Sequence, residues 1–559
     1  MSDNKGLFNK TVGIDSISFY APLNFIDLKE LALKRNVNPS KYTKGLLLHE
    51  MRFPEVHQDI ISLALRAGYY ALQKGDIHPQ EIDALFIGTE TAPATVYAVK
   101  SISNILIDYL GLSKNCLTQD INNACAAGTL AIINASALIE QNIINKALII
   151  NVDISNYKLN TPSEPTQGSG AVGLVISKNP RVALLSKKFG KVSSHINDFY
   201  RLPMEKTAKV FGKYSVKSYL TLQLNAYDDL LNQLSDNGDY DYYVFHAPFS
   251  KLPIKFIKQL FYERWLDYKF RIKKSQNKDL SSLIMEQLDN YISNISFNHK
   301  DFPTIQSYSD QLQGAENLIL LNLLNTIKHK VLPQLRVPAF FGNMYNASLW
   351  AQIIYLLENY AHAGDKIYFG SYGSGATCIS GLLKVLKPFK TIINRSPHIA
   401  DFFKEKEKKT IEEYEIIKEE KVHSPYFNLK WYYGKIEEYY TNNTTIQGVT
   451  LSFCEKGCVI SPIEGVNECP LGHEGQFTIF FPFFAKLISP LRRMNHQNEM
   501  ELFTMGYVQI NQNVEKGTLL EFDLRRKTLF NPQDYNANGL LNWIPSYSRS
   551  VLDPKKKAR

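Results

Sequence analysis

A short stretch around Cys125 constrains the fold of this chain more than any other. Leu117–Asp120 has the character of a strand end, and residues 126–143 are rich in Ala, Leu and Ile, with no charge before Glu140. The second segment predicts a helix that is apolar on most sides and therefore buried. Backbone N–H groups and the helix dipole at such an elbow favour a thiolate and can hold an oxyanion. A buried structural cysteine is the alternative.

Strand and helix patterns alternate on both sides of this elbow. Residues 59–74 have helical spacing of apolar residues, and residues 84–88 and 147–153 have the composition of buried strands. The same rhythm recurs over residues 242–386. This alternation predicts a layered α/β fold. A long charged segment, residues 256–331, interrupts the second round, and we expect it to be a helical elaboration of the core.

The character of the chain changes near Ser424. Beyond this residue, short β-rich runs are separated by turns, which predicts a small barrel. The runs are residues 449–453, 477–481, 503–510 and 518–524.

Four potential metal ligands lie between the first two of these runs: Cys454, Cys458, Cys469 and His473. Two close pairs of this kind can complete a tetrahedral zinc shell. The first pair is separated by three residues rather than the commoner two, so a ribbon that has lost its metal fits the sequence equally well.

Composition excludes several classes of protein. Six cysteines in 559 residues are too few for a disulfide scaffold, and no apolar run is long enough to span a bilayer. The N-terminus lacks a signal-peptide pattern, so we expect a cytoplasmic protein. The formal net charge of +9 is spread along the chain. This distribution argues against nucleic acid as a partner but allows phosphate-bearing ligands.

Three side chains in this pattern suit one kind of chemistry. Glu90 follows a strand, Cys125 lies at the elbow, and His246 ends a strand. A thiol can take an acyl group from a thioester, and a carboxylate in a closed pocket can remove an α-proton. A histidine can polarise the carbonyl of a second substrate. Each of these residue types, taken alone, more often has a structural role. The sequence around each residue must therefore distinguish a catalytic role from a structural one.

These local sequences resemble the 3-hydroxy-3-methylglutaryl-CoA synthase family over roughly residues 10–420. The matching blocks follow the order of the family: Ile87–Glu90, Asn123–Gly128, Phe245–Lys251, Gly342–Ser348 and Ser371–Gly375, with further similarity at Asp153–Tyr157 and Asp198–Arg201. The resemblance implies a thiolase-like, five-layered αβαβα core that works as a homodimer. The core would span residues 1–423 in two similar halves, 10–180 and 181–423, followed by a β-rich domain at 424–559.

The resemblance also assigns roles to the three central residues. Cys125 would accept the acetyl group of acetyl-CoA, Glu90 would deprotonate the acetyl methyl group, and His246 would activate the acetoacetyl carbonyl. Hydrolysis of the enzyme thioester would then release the product, and no cofactor would be required beyond the CoA thioesters that serve as substrates.

Other residues would bind the substrates. The backbone N–H groups of Cys125 and Ser374, the latter next to Gly373, would form an oxyanion hole. Asn343 would bind the acetoacetyl group, in a substrate site shared with Tyr157 and Ser348. Lys251 and Lys255 would contact the CoA phosphates, which suits their charge.

Departures from the family pattern keep alternatives open. Ala126 stands where many members have Tyr, and residues 212–219 resemble relatives that act in polyketide β-branching on an acceptor carried by an acyl carrier protein. A non-catalytic assembly scaffold is a further alternative, although the presence of all three central residues favours an enzyme. Residues 424–559 weakly resemble zinc-ribbon and OB-fold accessory proteins that bind acyl-CoA, so a thiolase or another pathway enzyme is an expected partner.

Overall fold

The computed structural model describes most of the chain up to residue 423 and short strands beyond it. The described ranges before residue 424 are 7–54, 58, 60–91, 101–201, 207–236, 238–266, 278–297, 305 and 314–423. Between residues 440 and 543 the description is limited to the backbone of strand segments.

Fifteen strands, β1–β15, lie in the main part of the described chain. They are Phe8–Tyr20, Asn24–Asp27, Glu50–Arg52, Ala84–Gly88, Leu117–Ile121, Lys146–Ile154, Ser169–Lys178, Ala183–Ser186, Gly190–Ser193, Phe199–Tyr200, Lys209–Val210, Tyr242–Phe245, Lys366–Gly373, Thr377–Val385 and Glu407–Lys408.

Thirteen α-helices, α1–α13, accompany these strands in the described ranges. They are Leu28–Lys34, Ile60–Gly75, Ile102–Leu110, Ala127–Glu140, Gly212–Leu234, Lys251–Leu260, Lys278–Ser293, Gly314–Asn325, Arg336–Phe341, Asn346–Asn359, Phe389–Ile393, Ile399–Lys404 and Ile411–His423. Short 3-10 and π-helical turns occur at Lys41–Leu46, Pro79–Glu81, Glu164–Thr166, Phe261–Trp265, Thr326–Val331 and Pro333–Leu335.

One large mixed sheet forms the centre of the fold. Its strand order is β12-β13-β14-β8-β1-β7-β6-β4-β5, and β9 also pairs with β14. The pairs at the two ends of this order, β12–β13, β6–β4 and β4–β5, are parallel, and the pairs between them are antiparallel. The two halves of the sheet meet where β1 pairs with β8, opposite Gly13. A Cβ atom at Gly13 would lie 2.0 Å from the carbonyl oxygen of Ala183, so the junction requires glycine.

Helices form three layers around the two halves of this sheet. Helix α2 packs on β1, β6 and β7, whereas α5 packs on β9, β13 and β14. Helices α4 and α10 contact each other, and α10 contacts strands of both halves. Twelve residues of α10 are buried, as a helix enclosed on all sides requires. The result is the thiolase-like α/β fold that the resemblance implied, with the helix after Cys125 in its middle layer.

The long segment at residues 256–331 is mainly helical in its described parts, as predicted. It contains α6, α7 and α8, and the buried Ile284, Leu288 and Tyr291 of α7 join one hydrophobic cluster with α6. Phe302 and Pro303, where the sequence predicts an interruption of the helical segment, lie outside the described residues.

Two local predictions were wrong. The small residues of the glycine-rich run 164–173 predict a tight turn before a strand at residues 174–177, but β7 already begins at Ser169. A Cβ atom at Gly173 would lie 2.3 Å from the carbonyl oxygen of Ala67, so this glycine permits close packing of α2 on the strand. The dense mixed charge of residues 401–421 predicts one solvated helix. They are instead divided among α12, β15 and α13, and Tyr414 of α13 is only 2% exposed.

Beyond residue 424 the described backbone consists of ten strands, β16–β25. They are Tyr440–Asn442, Thr445–Cys454, Val459–Ile460, Gln476–Leu487, Leu491–Met494, Met500–Phe503, Gly506–Ile510, Phe522–Asp523, Thr528–Leu529 and Leu540–Trp543. Their pairing is antiparallel, for example between β17 and β19. The predicted β-rich character is therefore found, while the barrel and the boundary at 424 stay predictions.

None of the helices in the described ranges combines the length and the apolar character that a membrane span requires.

Candidate active site

Cys125 lies on a tight elbow between β5 and α4. Ala126 donates its N–H to the carbonyl oxygen of Asn123 at 3.1 Å, and Ala127 donates to that of Ala124 at 3.2 Å. Ala124 has a φ of 44°, a left-handed conformation that is uncommon for a residue with a Cβ atom. The chain therefore turns sharply just before Cys125. The predicted strand–elbow–helix arrangement is confirmed.

Glu90 lies against the sulfur of Cys125. The distance between Cys125 Sγ and Glu90 Oε1 is 3.6 Å, so the thiol can donate a hydrogen bond to the carboxylate. Burial and the nearby Asp153 carboxylate raise the pKa of Glu90 well above its usual range. Burial and Glu90 likewise raise the pKa of the Cys125 thiol. The backbone N–H of Cys125 lowers the pKa of the sulfur, as expected at this elbow, but burial and the adjacent carboxylates outweigh it and favour the protonated sulfur.

Asp153 holds the Glu90 segment in place from the end of β6. Its Oδ1 atom accepts hydrogen bonds from the Thr89 hydroxyl at 2.8 Å, the Glu90 N–H at 2.9 Å, and the Thr91 N–H and hydroxyl at 3.1 and 2.7 Å. Burial raises the pKa of Asp153, although these donors oppose the shift. The carboxylate thus fixes the backbone that carries the general-base candidate.

Asn346 ties the same network to the Cys125 elbow from the second half of the fold. Its side-chain Nδ2 donates to Asp153 Oδ2 at 2.8 Å and to the carbonyl oxygen of Ala124 at 2.9 Å. Its Oδ1 accepts the N–H of Gly128, the second residue of α4, at 2.8 Å. Sequence reasoning missed this residue, although it lies inside the Gly342–Ser348 block as an unassigned position.

His246 follows β12 and is 1% exposed. Its N–H donates to the carbonyl oxygen of Gly370 at 2.8 Å, and its own carbonyl oxygen accepts the Tyr219 hydroxyl at 2.8 Å. Side-chain Nδ1 is buried without a hydrogen-bond partner in the described chain. Burial lowers the pKa of His246 to about 3, so the imidazole is neutral at physiological pH. An unpaired buried nitrogen of this kind suits a ligand group.

Asn343 and Ser348 brace the turn before α10. Asn343 Oδ1 accepts the N–H of Tyr345 at 3.0 Å and the Ser348 hydroxyl at 3.2 Å, and Ser348 Oγ accepts the N–H of Met344 at 2.8 Å. Both side chains are buried. The Ser348 hydroxyl is therefore already engaged in shaping this turn, which leaves the Asn343 amide nitrogen as the free donor for the predicted substrate role.

The turn that carries Gly373 and Ser374 packs directly on the elbow. A Cβ atom at Gly373 would lie 2.5 Å from the carbonyl oxygen of Asn123 and 2.9 Å from the Ala126 nitrogen. The Thr129 hydroxyl of α4 donates to Ser371 Oγ at 3.0 Å. The packing of Gly373 against the elbow brings the backbones of Cys125 and Ser374 close together. A cavity of about 530 Å³ lies next to them, and its lining includes Ala124 and Ser374.

Asp198 anchors the far end of this turn. Its Oδ1 accepts the Gly375 N–H at 3.1 Å, and its Oδ2 accepts the Tyr372 hydroxyl at 3.0 Å. Asp198 is fully buried. The sequence resemblance included this residue in a block but gave it no role.

Tyr157 belongs to an aromatic group next to the reactive pair. Its ring packs edge-on against Phe199 at 6.3 Å and Tyr345 at 6.4 Å between centroids. Burial raises the pKa of the Tyr157 hydroxyl, and the nearby Glu90 and Cys125 raise it further. The hydroxyl of the predicted substrate-site tyrosine therefore lies within electrostatic range of Glu90 and Cys125.

Lys251 and Lys255 line a separate cavity of about 570 Å³ with Lys258, at the start of α6. Lys251 Nζ donates to the carbonyl oxygen of Lys44 at 3.0 Å, and burial together with Lys255 lowers its pKa. Lys258 pairs with Asp289 of α7. The two predicted phosphate ligands are thus brought together in one basic pocket.

The four predicted zinc ligands fall in the β-rich region beyond residue 424. Cys458, Cys469 and His473 lie outside the described residues, and for Cys454 only the backbone at the end of β17 is described. Elsewhere in the described chain, no group of three or more His, Cys, Asp or Glu side chains is arranged to hold a metal ion. The zinc shell stays a prediction.

Comparisons with known proteins agree with this geometry. The family model described as hydroxymethylglutaryl-coenzyme A synthase N terminal matches residues 8–181, and the corresponding C-terminal model matches residues 186–427. A hydroxymethylglutaryl coenzyme A synthase of Fusarium sp is 30% identical over 393 residues, which cover 66% of this chain and 81% of the relative. The hydroxymethylglutaryl-CoA synthase of Enterococcus faecalis is 26% identical, covering 70% and 87%.

Solved structures give the same result. MvaS in complex with 3-hydroxy-3-methylglutaryl coenzyme A has a TM-score of 0.59 at 26% identity, with 73% of this chain and 92% of that chain covered. The HMG synthase of the curacin biosynthetic pathway has a TM-score of 0.60 at 22% identity, covering 74% and 90%, which supports the fold alone. This chain, with its paired Cys125 and Glu90 in a thiolase-like core, belongs to the hydroxymethylglutaryl-CoA synthase family of acyltransferases.

Proposed function

We propose that this chain condenses the acetyl group of acetyl-CoA with an acetoacetyl thioester to give a 3-hydroxy-3-methylglutaryl thioester, through an acetyl-Cys125 intermediate. The observation that carries the proposal is the 3.6 Å contact between Cys125 Sγ and Glu90 Oε1. This contact supports a nucleophile and a base that act on the same acetyl group, as a condensation at the methyl carbon requires.

The first step is acetyl transfer. The Cys125 sulfur attacks the thioester carbonyl, and the backbone N–H groups of Cys125 and Ser374 stabilise the oxyanion. The C–S bond to CoA then breaks, and CoA leaves as its thiol with the proton that Cys125 gives up. One thioester replaces another, so this step needs little driving force and Glu90 only relays the proton. Glu90 is left as a carboxylate beside the acetyl methyl group.

The second step forms the carbon–carbon bond. Glu90 removes a proton from the methyl group, and the resulting carbanion attacks the ketone carbon of the acetoacetyl thioester. We assign the orientation of that ketone to His246 Nδ1, which is buried without a hydrogen-bond partner in the described chain, and to the buried Asn343 amide. The proton held by Glu90 passes to the new alkoxide, which becomes the tertiary hydroxyl. Water then hydrolyses the thioester to Cys125 and restores the thiol.

Several finer features belong to the same proposal. The basic cavity at Lys251 and Lys255 is proposed to bind the CoA phosphates. The enzyme is proposed to act as a cytoplasmic homodimer, with a core at residues 1–423 and a distinct β-rich domain at 424–559. Molecular mass by light scattering tests the dimer.

Mass spectrometry of the intact protein tests the covalent step. Incubation with acetyl-CoA should add one acetyl group, and Cys125→Ala should abolish the adduct. Cys116→Ser is a matched control, since Cys116 is the other partly exposed cysteine of the described chain. An adduct that survives Cys125→Ala, or an unmodified wild-type protein, contradicts the proposal. The second outcome favours the assembly scaffold.

A Glu90→Gln variant separates the two steps. It should still form the acetyl adduct, but condensation should fall by about 10²–10⁴, the usual effect of losing a general base. Product formation is measured with acetoacetyl-CoA and, in parallel, with an acetoacetyl acyl carrier protein, so that the preferred acceptor is identified. Condensation at the wild-type rate would show that Glu90 is not the base.

A further inference from the structure

Gln167 lies behind the active site, and its backbone adjoins the Asn343 turn. It forms an isolated parallel bridge with Asn343, whose N–H donates to the carbonyl oxygen of Thr166 at 2.9 Å. A Cβ atom at Gly342 would lie 1.7 Å from the carbonyl oxygen of Gln167, so the two backbones are in contact. A shift of Gln167 would therefore move the turn that presents Asn343.

The Gln167 side chain is buried and links two regions. Its Oε1 accepts the backbone N–H of Tyr157 at 2.8 Å, and its Nε2 donates to the Tyr414 hydroxyl at 2.8 Å. Lys418 Nζ also donates to Gln167 Oε1. Tyr414 and Lys418 are four residues apart on α13 and so share one face of this helix. Helix α13 thus fixes the side-chain amide of Gln167. This amide in turn fixes the backbone of Tyr157.

Helix α13 is itself fixed to the core. Arg35 makes two hydrogen bonds to the buried Glu164 carboxylate, at 2.8 and 2.9 Å, and pairs with Glu415 of α13 at 2.5 Å. The Tyr414 ring packs edge-on against Phe53 at 5.2 Å between centroids. Buried, multiply bonded contacts of this kind restrict a helix more than an exposed ion pair does.

We propose that Tyr414 and Lys418 are positioning residues of the condensation reaction, which act through Gln167 on the Tyr157 side chain and the Asn343 turn. Neither residue touches the reacting atoms. They fix the Gln167 amide, the amide fixes the Tyr157 backbone, and the Tyr157 hydroxyl lies within electrostatic range of Glu90 and Cys125. This inference rests on the proposed function, because its readout is the condensation step.

The test compares variants that remove single contacts. Tyr414→Phe removes the hydroxyl that accepts from Gln167, Lys418→Met removes the donor to Oε1, and Gln167→Leu removes both links. Lys418→Arg keeps a donor and serves as the rescue variant. Glu412→Gln is the control, because Glu412 lies on the same helix but pairs with the exposed Lys34.

Each variant is measured in three ways: acetyl adduct on Cys125, kcat and KM for condensation, and thermal unfolding. We expect roughly fivefold lower kcat for Tyr414→Phe and Lys418→Met, as for the loss of one ordered hydrogen bond, and a larger loss for Gln167→Leu. The adduct and the KM for acetyl-CoA should change little, since the Lys251 cavity is lined by other residues. Lys418→Arg should recover most of the rate.

Two results would overturn the inference. Folded Tyr414→Phe and Lys418→Met proteins with wild-type kcat would show that the contacts do not matter for the reaction. A Glu412→Gln control that loses as much kcat as Lys418→Met would assign the effect to helix stability alone. A wild-type protein that forms no adduct would instead refute the proposed function, so the two failures are distinguishable.

Discussion

Asp153 links the two reactive side chains at the scale of single residues. One carboxylate oxygen accepts four hydrogen bonds from the Thr89–Thr91 segment, which carries Glu90. The other accepts the backbone N–H of Asn346 at 3.0 Å and its amide nitrogen at 2.8 Å. Asn346 in turn holds the Cys125 elbow. The buried Asp153 carboxylate therefore sets the distance between the Cys125 sulfur and the Glu90 carboxylate.

His246 gives a prediction about pH at the same scale. Its pKa is about 3 in the folded protein and near 6.5 when exposed, so between these values the unfolded chain binds one more proton. Stability should therefore fall as pH is lowered from 6.5 towards 3, by a few kcal/mol in total. Chemical unfolding of wild type and His246→Gln across this range should show a shallower decline in the variant.

A parallel decline in both proteins would show that His246 is not the source. The same neutrality predicts that the rate of condensation shows no ionisation of His246 near pH 6.5. A kinetic pKa near 6.5 that disappears in His246→Gln would contradict the buried, neutral imidazole.

At the scale of single residues, the sequence predicted which residues are central better than it predicted their protonation state. Cys125, Glu90 and His246 were found from their local blocks, because residue type and order are written in the chain. The raised pKa of Cys125 was missed, since it depends on burial and on Glu90, which lies 35 residues away in the chain. Asn346 was missed because a single asparagine carries no signal until its partners are known.

At the scale of elements, the active site depends on two turns that belong to different halves of the fold. The Cys125 elbow leads into α4, and the turn at residues 374–376, directly after Gly373 at the end of β13, connects β13 with β14. Gly373 is the point of contact, because only a residue without a side chain fits against the Asn123 carbonyl oxygen. The oxyanion site we propose exists only while these turns remain in register.

A Gly373→Ala substitution should push the two turns apart. The added methyl group would lie 2.5 Å from backbone oxygen, so one turn must move. We expect stability to fall by about 1–3 kcal/mol, as for overpacking, and acetyl transfer to slow at least roughly tenfold. Gly212→Ala is the matched control, since nothing lies within 4 Å of its added Cβ atom. Adduct formation at the wild-type rate in Gly373→Ala would refute the proposed oxyanion site.

The strands and helices that are mostly buried were predicted well. Residues 84–88 and 242–245 form strands at the predicted positions, and the helix after Cys125 begins and ends within a few residues of its expected bounds. The errors concern residues whose neighbours are distant in sequence. Gly173 permits the approach of α2, and Tyr414 is buried by α1 and the Phe53 region, so neither could be interpreted from its own segment.

At the scale of the whole molecule, α13 is the last part of the described core. Its Ile411 and Tyr414 belong to a hydrophobic cluster with Leu28, Leu31 and Phe53, and the C-terminal family match ends just beyond it, at residue 427. The helix therefore belongs to the core rather than to the β-rich region that follows. Any effect of the β-rich region on the reaction must therefore come from residues that follow α13, a helix that is fixed to the core.

Two truncations test this division. A chain ending at residue 427 keeps α13 and should fold, form the acetyl adduct and condense, with weaker use of the acyl donor or acceptor. The weakening is expected because a tethered domain is present at roughly millimolar effective concentration. A chain ending at residue 410 loses the buried Tyr414 and exposes its cluster, which should cost about 3–5 kcal/mol, the usual cost of emptying a large aromatic site, and abolish condensation. Equal activity of the two truncated chains would show that α13 is dispensable, and wild-type kinetics for residues 1–427 would show that the β-rich region does not assist the reaction.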